Sequence, residues 1–139
     1  MIERAKPHLQ ATGVVDRCEL VGGDFFADVP AGGDLYLLSR ILMDHDDDAS
    51  VRLLRNCHRA MPPRSRLHII QIVLPSHDAD AARHLLFDGA MSNLNMFVLG
   101  LGAERTEAQY RALLASAGFL VTQIVPTRAL MSIIEARPI

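Results

Sequence analysis

The chain is short of cysteine, of charge of one sign and of long apolar runs, and each shortage excludes something. Cys18 and Cys57 are the only thiols, and no CxxC spacing links them. They read as isolated thiols of a reduced, cytoplasmic, soluble protein. Net charge is −2 with histidines neutral, too small an excess to suggest a nucleic-acid surface. No apolar run approaches the roughly 18 residues that a membrane span requires, and the opening MIERAKPHLQ has no apolar signal core. Internal repeats, low-complexity tracts and linkers are absent as well. What is there is ordinary for a globular fold: 139 residues, 50% hydrophobic and 22% charged, enough for one domain with a single core and too few for two.

Along the chain, an amphipathic helix opens the sequence, with Pro7 expected to kink or end it and Gly13 to close it. A short strand is expected at Cys18–Val21, stopping at Gly22 and Gly23 and leaving Asp24 just past its end. The run from Leu35 to Leu42 is apolar without alternation, as in a strand covered on both faces of an α/β layer structure. Asp46, Asp47 or Asp48 can cap the next helix, on which Val51, Leu54, His58 and Met61 recur at helical spacing before Pro62 and Pro63. A third strand is expected in RLHIIQIVLP, with Pro75 marking its exit. Helical spacing then runs from Asp78 to Leu99, and Gly89 is expected to bend or break it. Thr106 and Gln109 form a capping-box pattern ahead of Tyr110, Leu113, Leu114 and Ala117, with Gly118 as the stop. Two closing strands follow, joined near Pro126 to Arg128 as an antiparallel pair.

Two blocks, VGGDFFADVPAGGDLYLLSRILMDHDDDASVRLLRNCHRAMPP and GAERTEAQYRALLASAGF, resemble in order and spacing the S-adenosylmethionine-dependent O-methyltransferases of the large dimeric type, which act on plant phenols and bacterial polyketides. The resemblance runs over essentially the whole chain but covers only the C-terminal part of the family's catalytic domain. Residues 1–139 are thus expected to be a partial domain, lacking the N-terminal dimerisation region and the first strand with its glycine-rich cofactor loop. The implied fold is α/β, an incomplete Rossmann-like methyltransferase sheet with flanking helices and a C-terminal antiparallel hairpin. Family strand order is 3-2-1-4-5-7-6, so the strand at Cys18–Val21 and that at Leu35–Leu42 would lose the neighbours that separate them. Open apolar edges of that kind imply either a rearranged sheet or a homo-oligomer, a swapped dimer included.

The resemblance also implies a site. S-adenosylmethionine is the cofactor; Asp24 matches the acid that bonds the adenine amino group, and Phe25 the residue packed on that ring. By the residues alone, Asp24 reads first as the cap of the turn after Gly23, and the resemblance brings the cofactor reading level with it. The family pattern LLKxxLHDWDD departs here in three places: Ser39 stands at the lysine that touches the cofactor, Met43 at the catalytic histidine and His45 at the tryptophan near the adenine. A thioether cannot act as a general base, so the usual proton transfer is broken at its central group, and His45 would replace it only after a shift of register. The two carboxylates flanking that histidine match Gln71 and Glu104; the first has become an amide, the second survives. Asp44 matches the acid that follows the histidine and lies at the substrate pocket. On the long helix that forms the family's substrate wall, Met91 and Asn95 are the candidate acceptor contacts. Met91 and Met96 also read as core, and Asn93 stands where bacterial relatives often carry an acid.

The cluster DHDDD matches neither the ligand alternation of a calcium loop nor zinc spacing, so no metal is expected and helix capping is the preferred reading. His58 reads as a core histidine. The expected function is methyl transfer from S-adenosylmethionine to a hydroxyl of a small phenolic or polyketide-like acceptor, with Glu104 and Asp44 left of the catalytic set. The alternative is a catalytically silent homologue that acts as a binding or interaction module.

Overall fold

The computed structural model describes residues 2–75, 83–99 and 102–139. Helix α1 (Ile2–Ala11) runs through Pro7 instead of ending there; proline's fixed φ suits a helix, but it removes one backbone donor and crowds the carbonyl four residues back. Gly13, at φ +69°, closes it in the left-handed region. The expected strand at Cys18–Val21 does not form. A 3-10 turn at Val15–Arg17 leads into unpaired chain instead, because a strand exists only by bonding to a neighbour and no described sheet includes this segment.

Strand β1 (Leu35–Ser39) is shorter than its apolar run. Arg40 adopts φ +56°, and a 3-10 turn at Leu42–Asp44 then redirects the chain, burying Leu42 and Met43 off the strand. Helix α2 (Asp47–Ala60) follows, and β2 (Arg66–Gln71) returns parallel to β1. The third apolar run then splits: beyond Ile72, β3 (Val73–Leu74) leaves the sheet and pairs with β4 (Arg105–Thr106). Helix α3 (Arg83–Val98) lies between them in sequence; the onset expected at Asp78 falls outside the described residues. Gly89 does not break α3. A Cβ there would fall 2.8 Å from the side chain of Leu74, so the residue serves close approach of helix to strand, and packing overrides its weak propensity.

Helix α4 (Glu107–Ser116) carries the expected capping box, and Gly118 at φ +86° follows it. The hairpin of β5 (Phe119–Pro126) and β6 (Ser132–Pro138) is antiparallel as expected, with a five-residue loop at 127–131 and a bulge between Val121 and Gln123. Sheet order is β1-β2-β6-β5, with β6 antiparallel to both neighbours. These strands stand in the order 4-5-7-6 of the family pattern, so the sheet is not rearranged.

Helices α2 and α4 cover one face of that sheet. Their Leu53, Leu54, Tyr110 and Leu114 meet Leu67, Ile69, Phe119 and Ile134 in a single core, each buried side chain contributing about 1.5–3 kcal/mol. The other face stays open at β1: Leu35 and Leu37 are more than half exposed while Tyr36 and Leu38 turn inward. The continuous run thus behaves as a one-sided strand, against the expectation of two covered faces. Among the described residues, no helix is long and apolar enough to cross a membrane.

Candidate functional site

The parallel strands β1 and β2 both run out at one end of the sheet, and the candidate residues gather there in two groups. The first is built on the loop before β1. Asp24 accepts the N–H of Phe26 at 2.9 Å through its own Oδ1, the short-range turn bond that its residue type predicts, and its side chain remains exposed. Asn56 of α2 donates to the Phe25 carbonyl at 2.9 Å and so ties this turn to the helix. His45 stands edge-on to both rings, with centroids 5.9 Å from Phe25 and 5.1 Å from Phe26, and the guanidinium of Arg52 lies over Phe26. Beside them a cavity of about 530 Å³ is lined by Gly22, Gly23, Asp24, Phe25, Tyr36 and Leu37. A carboxylate, an aromatic ring and two backbone-exposing glycines are the donor set that an adenosine would use, so the residues fit the cofactor's nucleoside end.

The second group is a buried polar network. Glu104 is 3% exposed. Its Oε2 accepts from Gln71 Nε2 at 3.2 Å, its Oε1 from the Ser92 hydroxyl at 2.8 Å, and its backbone N–H donates to Asn93 Oδ1 at 3.1 Å. Strand β2, helix α3 and the segment ahead of β4 are therefore pinned at one carboxylate. Gln71 Oε1 is buried without a partner among the described residues, an acceptor open to one further donor. Tyr110, which donates to the Ile72 carbonyl, has its ionisation driven far up, by burial first and then by the Glu104 charge.

Arg105 joins the two groups, and sequence reasoning missed it. Buried at 4% exposure, it donates to the carbonyls of Leu42, His45 and Ala103 at 2.9, 2.9 and 3.2 Å and pairs with Asp47 at 2.8 Å. The turn that carries Met43, Asp44 and His45 thus takes its shape from a residue next to Glu104. Gly102 packs so closely that a Cβ would collide with the His45 backbone. Ser92 was also missed; an isolated serine in a helix carries no signal until its partner is placed. Asp46 settles the role of the acids, accepting the Ala49 N–H at 2.8 Å as the α2 cap, while Asp47 serves Arg105.

The remaining candidates are dispersed. Met43 is buried and Asp44 exposed on the same turn; Ser39 is exposed at the end of β1. Met91 and Asn95 line a hollow of about 400 Å³ on the outer side of α3, whereas Ser92 and Asn93 are the residues of that helix that reach Glu104. His58 is half-buried, edge-on to Phe119.

A sheet of this order, with its site at the ends of the parallel strands and its last strand antiparallel, defines an α/β domain of the methyltransferase kind. Residues 1–120 match the O-methyltransferase domain family, and the chain belongs to it. It is 44% identical over 137 residues to the phenazine O-methyltransferase PhzM of Lysobacter antibioticus, covering 99% of this chain and 38% of that protein. The crystal structure of LaPhzM superposes with a TM-score of 0.88 at 45% identity, over 99% of this chain and 40% of that one. An O-methyltransferase of neocarzinostatin biosynthesis, solved with S-adenosylmethionine and 2-hydroxy-5-methyl naphthoic acid, superposes with a TM-score of 0.84 at 29% identity, over 99% of this chain and 38% of its own. The chain therefore spans well under half the length of these relatives.

Proposed function

We propose that the chain forms the part of an S-adenosylmethionine-dependent O-methyltransferase catalytic domain that holds the adenosine end of the cofactor and one wall of the acceptor pocket. The acceptor is a small phenolic or polyketide-like hydroxyl compound, the class suggested by a phenazine O-methyltransferase relative and by one solved with a hydroxylated naphthoic acid bound. The observation that carries this reading is the buried Glu104 network, coupled through Arg105 to the turn of Met43, Asp44 and His45.

When bound, the cofactor supplies a sulfonium methyl group for direct displacement by the acceptor oxygen. Asp24 keeps one carboxylate oxygen free of its turn bond for the adenine amine, Phe25 packs on the ring, His45 closes its edge and the Ser39 hydroxyl stands where the family lysine would reach. Glu104 holds the Gln71 amide in place behind the pocket wall, and Asp44 guards the mouth of the pocket. Met91 and Asn95 supply a thioether and an amide to an aromatic acceptor. With Met43 at the base's position no side chain there removes the proton, so transfer proceeds by proximity and orientation on an acceptor that is already ionised.

Calorimetric titration of the purified chain with S-adenosylhomocysteine, followed by methyl transfer from labelled cofactor to phenols of graded acidity, tests the reading. Binding is expected, with turnover that rises with acceptor acidity and survives His45→Ala. A folded sample that binds no S-adenosylhomocysteine would sink it.

A further inference from the structure

One buried polar residue of α2 is turned toward the loop before β1, and the chemistry of its two partners fixes which way it points. Asn56 is 7% exposed and stands in the interior of a helix, where asparagine is a weak former. Its Nδ2 donates to the Phe25 carbonyl at 2.9 Å, and its Oδ1 accepts from the Arg59 guanidinium at 2.6 Å. A guanidinium only donates and a carbonyl only accepts. The two ends of the amide are therefore assigned by their partners, oxygen toward Arg59 and nitrogen toward Phe25.

The Phe25 carbonyl depends on that nitrogen. Within the turn, the N–H groups of Ala27 and Asp28 both go to the Asp24 carbonyl, at 2.9 and 3.0 Å, and Asp24 Oδ1 takes the Phe26 N–H. Among the described residues, no main-chain donor reaches the Phe25 carbonyl. The turn thus closes on itself without fixing its own orientation to the domain. Helix α2 supplies that orientation from positions at helical spacing: Arg52 lies over the Phe26 ring, Asn56 holds the Phe25 carbonyl and Arg59 holds Asn56. Phe26 packs against the core, while Phe25 lines the cavity beside Asp24.

We propose that Asn56 is a positioning residue for the nucleoside end of the cofactor. Through one hydrogen bond, oriented by Arg59, it sets the angle at which the Phe25 ring and the free Asp24 oxygen meet an adenine. The inference rests on the reading of that cavity as the nucleoside site. Asn56 does not line the cavity, so its effect passes through Phe25 and Asp24. Holding a ring and a carboxylate in place before the ligand arrives lowers the ordering cost of binding.

The test is calorimetric titration of the purified chain with S-adenosylhomocysteine, alongside thermal melting without ligand and the His45 ring-proton resonances. Asn56→Asp is nearly isosteric, keeps the bond to Arg59 as an ion pair and turns the donor facing Phe25 into an acceptor. It is expected to melt within about 5 °C of wild type yet to bind at least roughly tenfold more weakly. His45 stands edge-on to Phe25 and Phe26, so its resonances report movement of the turn and are expected to shift. Arg59→Ala, at an exposed position, frees the amide without touching the turn and is expected to weaken binding roughly threefold. Arg55→Ala, on the same helix but bonded to the Ser116 carbonyl, is expected to leave it unchanged. If Asn56→Asp does not fold, Arg59→Ala carries the same decision. Wild-type binding that both variants leave unchanged, or weaker binding with unmoved His45 resonances, would overturn the positioning role and spare the nucleoside site. A folded wild type that binds no S-adenosylhomocysteine would remove the nucleoside reading and this inference with it.

Discussion

Arg105 shows how much one side chain can determine. Its guanidinium satisfies three carbonyls and the Asp47 carboxylate, so Arg105→Met leaves buried acceptors without donors and is expected to cost about 2–4 kcal/mol by urea unfolding. Arg105→Lys recovers less than half of that, since an ammonium has neither the fork nor the reach. Asp47 is largely exposed and Asp47→Ala is expected to cost under about 1 kcal/mol. Cys57 carries a pH dependence: burial pushes its thiol from an ordinary 9.0 up to about 11. The folded state keeps that proton where the unfolded chain has released it, so this contribution to stability is whole below pH 9 and lost as pH rises through about 11. Urea midpoints measured between those values are expected to fall, and to fall less in Cys57→Ala. Arg105, Ser92 and the Gln71 oxygen left without a partner among the described residues were illegible in the sequence because their roles depend on partners far away in the chain, whereas Glu104 and Gln71 were singled out only by matching their blocks to the family pattern.

Elements whose signals lie within a few residues were read correctly from the sequence. The capping box of Thr106 and Gln109, the stop at Gly118 and the antiparallel closing hairpin are local, and the structure reproduces them. The same locality makes the caps testable one at a time. Asp46→Ala and Thr106→Ala are each expected to cost about 1 kcal/mol, and Asp48→Ala, which removes a charge but no cap bond, at most a few tenths; chemical unfolding of the three variants checks the order. What failed depended on neighbours. The segment at Cys18–Val21 found no strand to pair with, the third apolar run was split by the pairing of β3 with β4, and Gly89 was judged by propensity when its contact with Leu74 decides.

At the scale of the molecule, the proposed nucleoside site beside β1 implies that ligand binding and global stability are linked. S-adenosylhomocysteine at 100 times its dissociation constant is expected to add about 2.7 kcal/mol and to raise the melting temperature by roughly 10 °C; a melt that does not move would mean that the cavity beside Asp24 takes no nucleoside. The sheet order has a further consequence, for the chain as it leaves the ribosome. Strand β6 (Ser132–Pro138) sits between β2 and β5 and brings Ile134 and Ala136 into the core. Until β6 has been synthesised, two finished strands have no common neighbour and α2 and α4 have no complete surface to cover. Folding of this sheet therefore waits until residues 132–138 have left the ribosome, and the nascent chain spends that interval with its apolar strands uncovered.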